Sequence, residues 1–560
     1  MVITSIEGQL MKATQRFIAC ATIVFALAAC GGGGGTSSGS ATLSGTDVAS
    51  GLGVNPNGFA FANFASSASP EEFNAEDIVE MFGSNTDVCV GGKTPCELTA
   101  EAAAWARMVN QARAVGHCEG FAVTSANRFS SAAQPSTVEL KNEGDVTHGL
   151  MRSFATQFLK EAVADTEAWA GKSLKEKVAA LEAAFAKKQV SYTLGVYSDI
   201  GGHAILPYAL EYVSKDVVKI KVYDSNWPGK DRYVTVDLKA DTWTFAYSGE
   251  DPANDPKAWS GGPADMDLTS MSARTSGTCP FCAGKTGVTK SMLVVRSAAL
   301  NWSVQTSSGS IRPGSAAPAG TSIRPVRSAT GTSATDFVVM VPNDEKVSFT
   351  LPDAARVTGI TGTAAIQIDT PGSSTGTIDI TDTSISSNDP SVVLTLADGN
   401  LVASANGESN TISTEGESLA VDITTEGGQK VSVDVNEDAP AVDVRTPGRE
   451  GASLESGYQV LTQVGDNSIE QKTVDANGKE TVKTIEGELD NTKSSQPLPE
   501  SLAAPAVKPG LPSTESRAFT GDPAEDNAGR AATDSTVANA TGNVSTETPV
   551  LRPVATVPAG

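Results

Sequence analysis

Apolar residues change their spacing along the chain, and each change predicts a different element. Between Ala100 and Ala112, the residues Trp105, Met108 and Val109 share one face, and after Asp145 the residues Leu150, Phe154 and Phe158 recur every four positions. Both patterns have the period of an amphipathic helix. Ser173 and Glu176 form a capping box ahead of Val178, Leu181 and Phe185 and announce a further helix. The spacing then shortens. Tyr192 to Val196, His203 to Val213, Val217 to Tyr223 and Arg232 to Leu238 are short runs rich in Val, Ile and Tyr, separated by turn residues such as Lys215-Asp216 and Pro228-Gly229. Helices followed by an antiparallel meander predict an α+β domain over residues 59–262.

Beyond it, residues 263–334 are dominated by Ser, Thr, Gly and Pro and predict a linker, apart from an apolar patch at Met292 to Val295. Alternation returns in residues 335–489, where Ile378 and Ile380, Val421 and Ile423, and Val431, Val433 and Val435 interleave with polar positions. Asp398-Gly399, Asn406-Gly407 and Asn477-Gly478 supply hairpin turns, so a thin β-sandwich or β-solenoid is expected. Residues 490–560 are rich in Pro, Ser, Thr, Ala and Glu, the composition of a disordered acidic tail.

The amino-terminal pattern concerns export. If Met11 is the start, Lys12 and Arg16 form a basic segment before the apolar run from Phe17 to Ala29, which is too short to span a bilayer and reads as a signal-peptide core. Leu27-Ala28-Ala29-Cys30 resembles the lipobox of bacterial lipoproteins. The resemblance implies a signal peptide over residues 1–29, cleavage before Cys30, a diacylglycerol on the Cys30 thiol, and a place in the bacterial cell envelope. Gly31 to Gly35 open a flexible tether over residues 30–58. The net charge of −24 argues against nucleic acid and anionic lipid headgroups as partners, so contact with a membrane is expected through the lipid alone.

Seven cysteines are present, and Cys20 and Cys30 belong to the export signal. Cys89 and Cys96 bracket a small loop and Cys279 and Cys282 form Cys-Pro-Phe-Cys, so local disulfides Cys89–Cys96 and Cys279–Cys282 are the economical pairing in an oxidising compartment. Cross-pairing and a four-cysteine zinc site stay open, though the first spacing fits zinc poorly. In each case Cys118 is left over.

Cys118 follows Gly116-His117 and precedes the run Phe121 to Phe129, which places its thiol at a helix N-terminus. Unpaired backbone N–H groups there favour a thiolate, the form that acts as nucleophile. The chain has three histidines. His203 follows Gly201-Gly202 at the start of one strand, and Asp224 ends the next, so the two fall at one end of the sheet, where the carboxylate orients the imidazole and the other ring nitrogen faces the thiol. His117 and His148 are expected to be bystanders.

Gly-x-Cys-x-Gly at a helix start, Gly-Gly-His-Ala on a strand and Tyr-Asp-x-Asn-x-Pro-Gly after the next strand resemble papain-like cysteine peptidases, in particular compact bacterial relatives of bacteriocin-processing peptidases. The resemblance covers residues 97–238. It implies peptide or protein substrates, no cofactor and no metal, with Asp224 or Asn226 as the third member. That family places a glutamine six residues before the cysteine as oxyanion donor. Here the position is Ala112, and Gln111, one residue further off, is the candidate beside the backbone N–H of Cys118. Gly-His-Cys-Glu-x-Phe-Ala is also similar to the nucleophile segment of transglutaminase-like proteins, whose acyl acceptor is an amine. A surface structural or adhesive protein with an inactive domain is the further alternative.

Overall fold

A computed structural model describes residues 42–489, apart from 67–70, 199–200, 248–254, 256–257, 276–277, 283–289, 298, 329–335, 363, 371, 373, 375 and 447–456. The signal segment, Cys30, the first part of the tether and the acidic tail lie outside the described residues. What is described is a mixture of helices and mainly antiparallel sheets, an α+β arrangement.

Seven α-helices occur among the described residues: α1 (Val54–Asn57), α2 (Ala75–Phe82), α3 (Ala100–Ala112), α4 (Cys118–Ser130), α5 (Asp145–Ala155), α6 (Lys160–Ala170) and α7 (Leu174–Ala186). Their starts are chemically marked. Thr99 accepts the Ala102 N–H at the head of α3, and Ser173 and Glu176 satisfy each other's backbone at the head of α7. Asn74 and Asp77 do the same for α2, a box the apolar periodicity did not single out. α5 ends at Ala155, and Phe158 sits in the tighter turn Thr156–Phe158 that follows.

The first sheet holds β1 (Val48–Ala49), β2 (Tyr192–Ser198), β3 (Gly201–Tyr212), β4 (Val217–Tyr223), β5 (Arg232–Asp237), β6 (Thr242–Phe245), β7 (Trp259–Gly261) and β8 (Met266–Ser270). Its order is β7-β6-β5-β4-β3-β2-β8, with β1 also paired to β3, and every pairing is antiparallel. Its apolar side packs with Leu174, Val178, Leu181 and Phe185 of α7. A second cluster gathers Phe59, Phe61, Phe64 and Phe121 around the first turns of α4. Gly120 lets α4 press on α5, because a Cβ there would strike the Leu150 carbonyl.

The expected linker over residues 263–334 is structured through much of its described length. Met266–Ser270 closes the first sheet beside β2, and Lys290–Ser297 runs between strands Asp336–Pro342 and Ala355–Ile360 in an 11-stranded sheet. Its Ser and Thr content hid short strands whose apolar members, among them Val304 and Ile311, are buried, as is Trp302 just before the first of these. An eight-stranded sheet faces the 11-stranded one, and the two share a core built mostly of Val, Ile, Leu and Ala. Gly399 and Gly478 adopt positive φ (55° and 77°) at hairpin turns. Asn406-Gly407 is not a hairpin: it joins Leu401–Ala405 of one sheet to Ser409–Glu415 of the other. The buried Asn406 side chain holds that crossing, donating to Pro390 O (2.7 Å) and accepting from Thr446 Oγ1 (2.8 Å).

The outer face of the 11-stranded sheet is covered by the first half of the chain. Met292, Val294, Met340 and Ile360 pack with Trp105, Met108 and Val109 of α3.

Candidate active site

Cys118 is the first residue of α4, with His117 at the N-cap. His117 is fixed on all sides: its backbone N–H donates to Asn63 Oδ1 (2.6 Å), its Nδ1 pairs with Phe64 O (2.8 Å) and its Nε2 faces Arg113 (3.1 Å). Burial first, and the Arg113 charge second, push His117 down to about 3, so the ring is neutral. His148 lies elsewhere, with Asp77 Oδ2 at 2.8 Å beside Arg152.

His203 is the third residue of β3, and Asp224 follows the last residue of β4. The two strands are in register at Leu206 and Tyr223, after which the chain leaves the sheet and delivers the carboxylate to the imidazole. His203 Nε2 lies 2.8 Å from Asp224 Oδ1, and the same oxygen accepts the backbone N–H of Asn226 (2.8 Å). Nδ1, the other ring nitrogen, is buried without a well-formed hydrogen bond. On the next residue, Ala204 N donates to the Cys118 sulfur at 3.3 Å, which sets the thiol against the His203 end of β3. The ring packs between Phe245 and Tyr247 (centroids 6.3 and 5.9 Å).

Burial alone would lower the imidazole. The charges of Asp224 and then Cys118 outweigh it and hold His203 up at about 10, while Asp224, despite its own burial, is drawn below the usual carboxylate range by His203 and Arg232. All three groups are closed to solvent: Cys118 and His203 are 0% exposed and Asp224 1%.

The structure thus brings Cys118, His203 and Asp224 together and separates two other candidates from them. Asn226 does not face His203; its Oδ1 accepts from Asn63 Nδ2 (3.0 Å). Gln111 points away, toward the β-rich half, where Thr358 Oγ1 approaches its Oε1 at 3.4 Å and Arg296 donates to its carbonyl (2.8 Å). A shift of one residue on a helix turns a side chain by about 100°, so the offset from position 112 changes what it faces. It is not an oxyanion donor in this arrangement.

Several supporting residues carry no sequence motif. Asn63 ties the start of α4 to the Asp224 loop through His117 N, Asn226 and Ser225 O. Arg232 stacks on Trp227 (4.5 Å), bonds the Ala246 carbonyl and lies 3.8 Å from Asp224 Oδ2. Behind Cys118, Glu119 is held by Arg274 and by Arg327 (3.0 Å).

Cys89–Cys96 and Cys279–Cys282 stand at disulfide distance, with Cα atoms 5.2 and 5.4 Å apart, and Cys118 is the free cysteine among the described residues. No described helix is long and apolar enough to cross a membrane, and no metal-holding cluster of His, Cys, Asp and Glu occurs among the described residues. In comparisons with known proteins, the chain matches no family model, no curated protein and no solved structure.

Proposed function

We propose that the chain is an exported, lipid-anchored thiol hydrolase of papain-like type, acting on peptide amide bonds. The observation that carries this reading is the placing of His203, with one ring nitrogen on Asp224 and the backbone N–H of the next residue, Ala204, on the sulfur of a helix-starting cysteine. In the reaction, His203 takes the proton of the Cys118 thiol and the sulfur attacks the amide carbonyl, its electron pair forming the C–S bond as the carbonyl oxygen becomes an oxyanion. Collapse breaks the C–N bond, His203 gives its proton to the departing amine, and a thioester remains. Water, deprotonated by His203, then attacks the thioester and releases the acid and the thiol. The Cys118 N–H, which has no intrahelical acceptor at this position, is the proposed oxyanion donor. Asp224 keeps the ring oriented and stabilises its protonated form.

Casein turnover by the full chain, read as new amino termini, should fall by at least ~10³-fold in Cys118→Ala and His203→Ala and less in Asp224→Asn, which keeps a hydrogen-bonding partner. An active Cys118→Ala protein would overturn the assignment. Amine crosslinks in place of new termini would point to transglutaminase-like transfer. Replacing Cys30 by Ser should release the chain from membranes, which fractionation reads.

One observation favours a second reading, a surface structural protein whose triad does no chemistry: the nucleophile, base and orienter are all buried. Under that reading native Cys118 is inert to a thiol-directed peptide electrophile, whereas a hydrolase that opens is labelled.

A further inference from the structure

We propose that Arg327, supplied by the β-rich half of the chain, is a positioning residue that locks the Cys118 end of α4 to the His203 end of β3. Its side chain reaches the immediate neighbour of the nucleophile: Nε meets Glu119 Oε2 at 3.0 Å. Its backbone meets the immediate neighbour of the base. Arg327 bridges Gly202 in parallel fashion, and the next N–H, of Ser328, donates to Gly202 O at 3.2 Å.

The strand edge that Arg327 occupies exists because of the site. β4 leaves β3 beyond the Leu206–Tyr223 pair to deliver Asp224, and Gly202 already spends its other edge on Tyr197 of β2. Unpaired backbone there, in a buried place, needs a partner, and the segment after strand Ser322–Pro325 provides one. Gly202 permits the approach, since a Cβ would meet Val326 O at 2.9 Å and Pro325 O at 3.0 Å.

The guanidinium of Arg327, a residue 2% exposed, is anchored further by Thr269 Oγ1 (2.9 Å) and Asp267 Oδ1 (3.3 Å) on β8. Asp267 also accepts from Tyr197 OH (2.7 Å), and Arg274 takes the other oxygen of Glu119. Arg274, Arg327 and, at 4.0 Å from Asp267 Oδ2, Arg324 thus oppose the carboxylates of Glu119 and Asp267 in a largely dry cluster behind the thiol. Burial works against the Arg327 charge, but Glu119, Tyr197, Asp267 and Cys118 together hold it above its ordinary value. Truncating Arg327 would leave Glu119, the residue next to Cys118, with one cation fewer and the first turn of α4 without this anchor.

The inference rests on Cys118 being a nucleophile, so its test reads the thiol without any substrate. Iodoacetamide alkylation of Cys118 would be followed across pH in the full chain and in Arg327→Met, Arg327→Lys and Gly202→Ala. Arg327→Met should lower the rate at neutral pH about tenfold and move the acid limb of the profile to higher pH. Arg327→Lys should restore part of the rate, and Gly202→Ala, which keeps the charge but displaces the strand, should lower the rate with a smaller move of the limb. A purely structural role would reduce thermal stability without moving the limb, and identical profiles for wild type and Arg327→Met overturn the proposal. If wild-type Cys118 reacts no faster than glutathione, the nucleophile reading fails instead. The clamp is then read from the His203 ring resonances, which shift in Arg327→Met if Arg327 sets that strand and stay in place if it does not.

Discussion

The two halves of the molecule bury their charges differently. In the sandwich, buried ionic partners are close in sequence and meet on one strand or across neighbouring strands, as Arg356 and Asp369 do at a separation of 13 residues. Around Cys118 they are distant: Glu119 and Arg274 are 155 residues apart, and Arg327 comes from the other half of the fold. A local pair forms whenever its hairpin forms and reports little about the rest of the chain. A distant buried set is satisfied only when every contributing element has arrived, because any missing partner strands a charge in a dry interior. The sandwich therefore obtains its shape from apolar alternation, whereas the site obtains its geometry from long-range polar closure.

That contrast can be broken experimentally. Glu119→Gln leaves Arg274 and Arg327 facing a neutral side chain and should cost about 3–5 kcal/mol of unfolding free energy. Glu480→Ala, which removes the partly exposed Lys472–Glu480 pair (3.0 Å) of the sandwich edge, should cost no more than about 1 kcal/mol in the same denaturant titration. Comparable losses would erase the distinction.

A smaller effect is expected from pH, because two buried histidines act in opposite directions. His203 is raised, so its contribution is complete below its ordinary value near 6.5 and is lost as pH climbs through about 10. His117 is depressed, so its contribution is complete above 6.5 and falls away as pH drops toward about 3. Asp224, also depressed, adds stability that disappears on acidification through and below its ordinary 3.8. Denaturation of His203→Ala should therefore lose part of the alkaline decline and part of the Asp224 share of the acid one while keeping the His117 share; an unchanged alkaline limb would contradict the Asp224–His203 coupling.

The smallest effect belongs to the sandwich core. Ile412→Val removes one buried methyl and should cost about 0.5–1.5 kcal/mol with no change in Cys118 alkylation. A change in alkylation would show the core to be coupled to the site after all.

The elements that could be read in the sequence are those with a strong local signal. Ala100 to Ala112 and Val217 to Tyr223 have the bounds that their apolar spacing predicts, and Ser173 with Glu176 marks the start of α7. His203 and Asp224 could be placed near each other because one turn at Ser214 to Asp216 fixes the register of two strands. What escaped was non-local. Nothing around Arg327, in a stretch rich in Ser, Thr and Pro, announces a partner for Glu119, and Asn63 carries no motif that ties it to His117 and Asn226. Gln111 faces Thr358 and Arg296 of the β-rich half, because nearness in sequence to Cys118 says nothing about which face of α3 it occupies.

The closure of the site over Cys118 bears on the chemical lifetime of its sulfur. The other described cysteines are paired with partners seven and three residues away, which leaves no free thiol among the described residues with which Cys118 could form a disulfide. Thiols oxidise stepwise to sulfenic and then irreversible sulfinic and sulfonic acids in proportion to their exposure and thiolate character. At 0% exposure, Cys118 has its oxidation restrained by the first of these. Any solute that oxidises this sulfur, peroxide included, must wait for the fold to open, so the fraction of time the fold spends shut sets how long the sulfur endures.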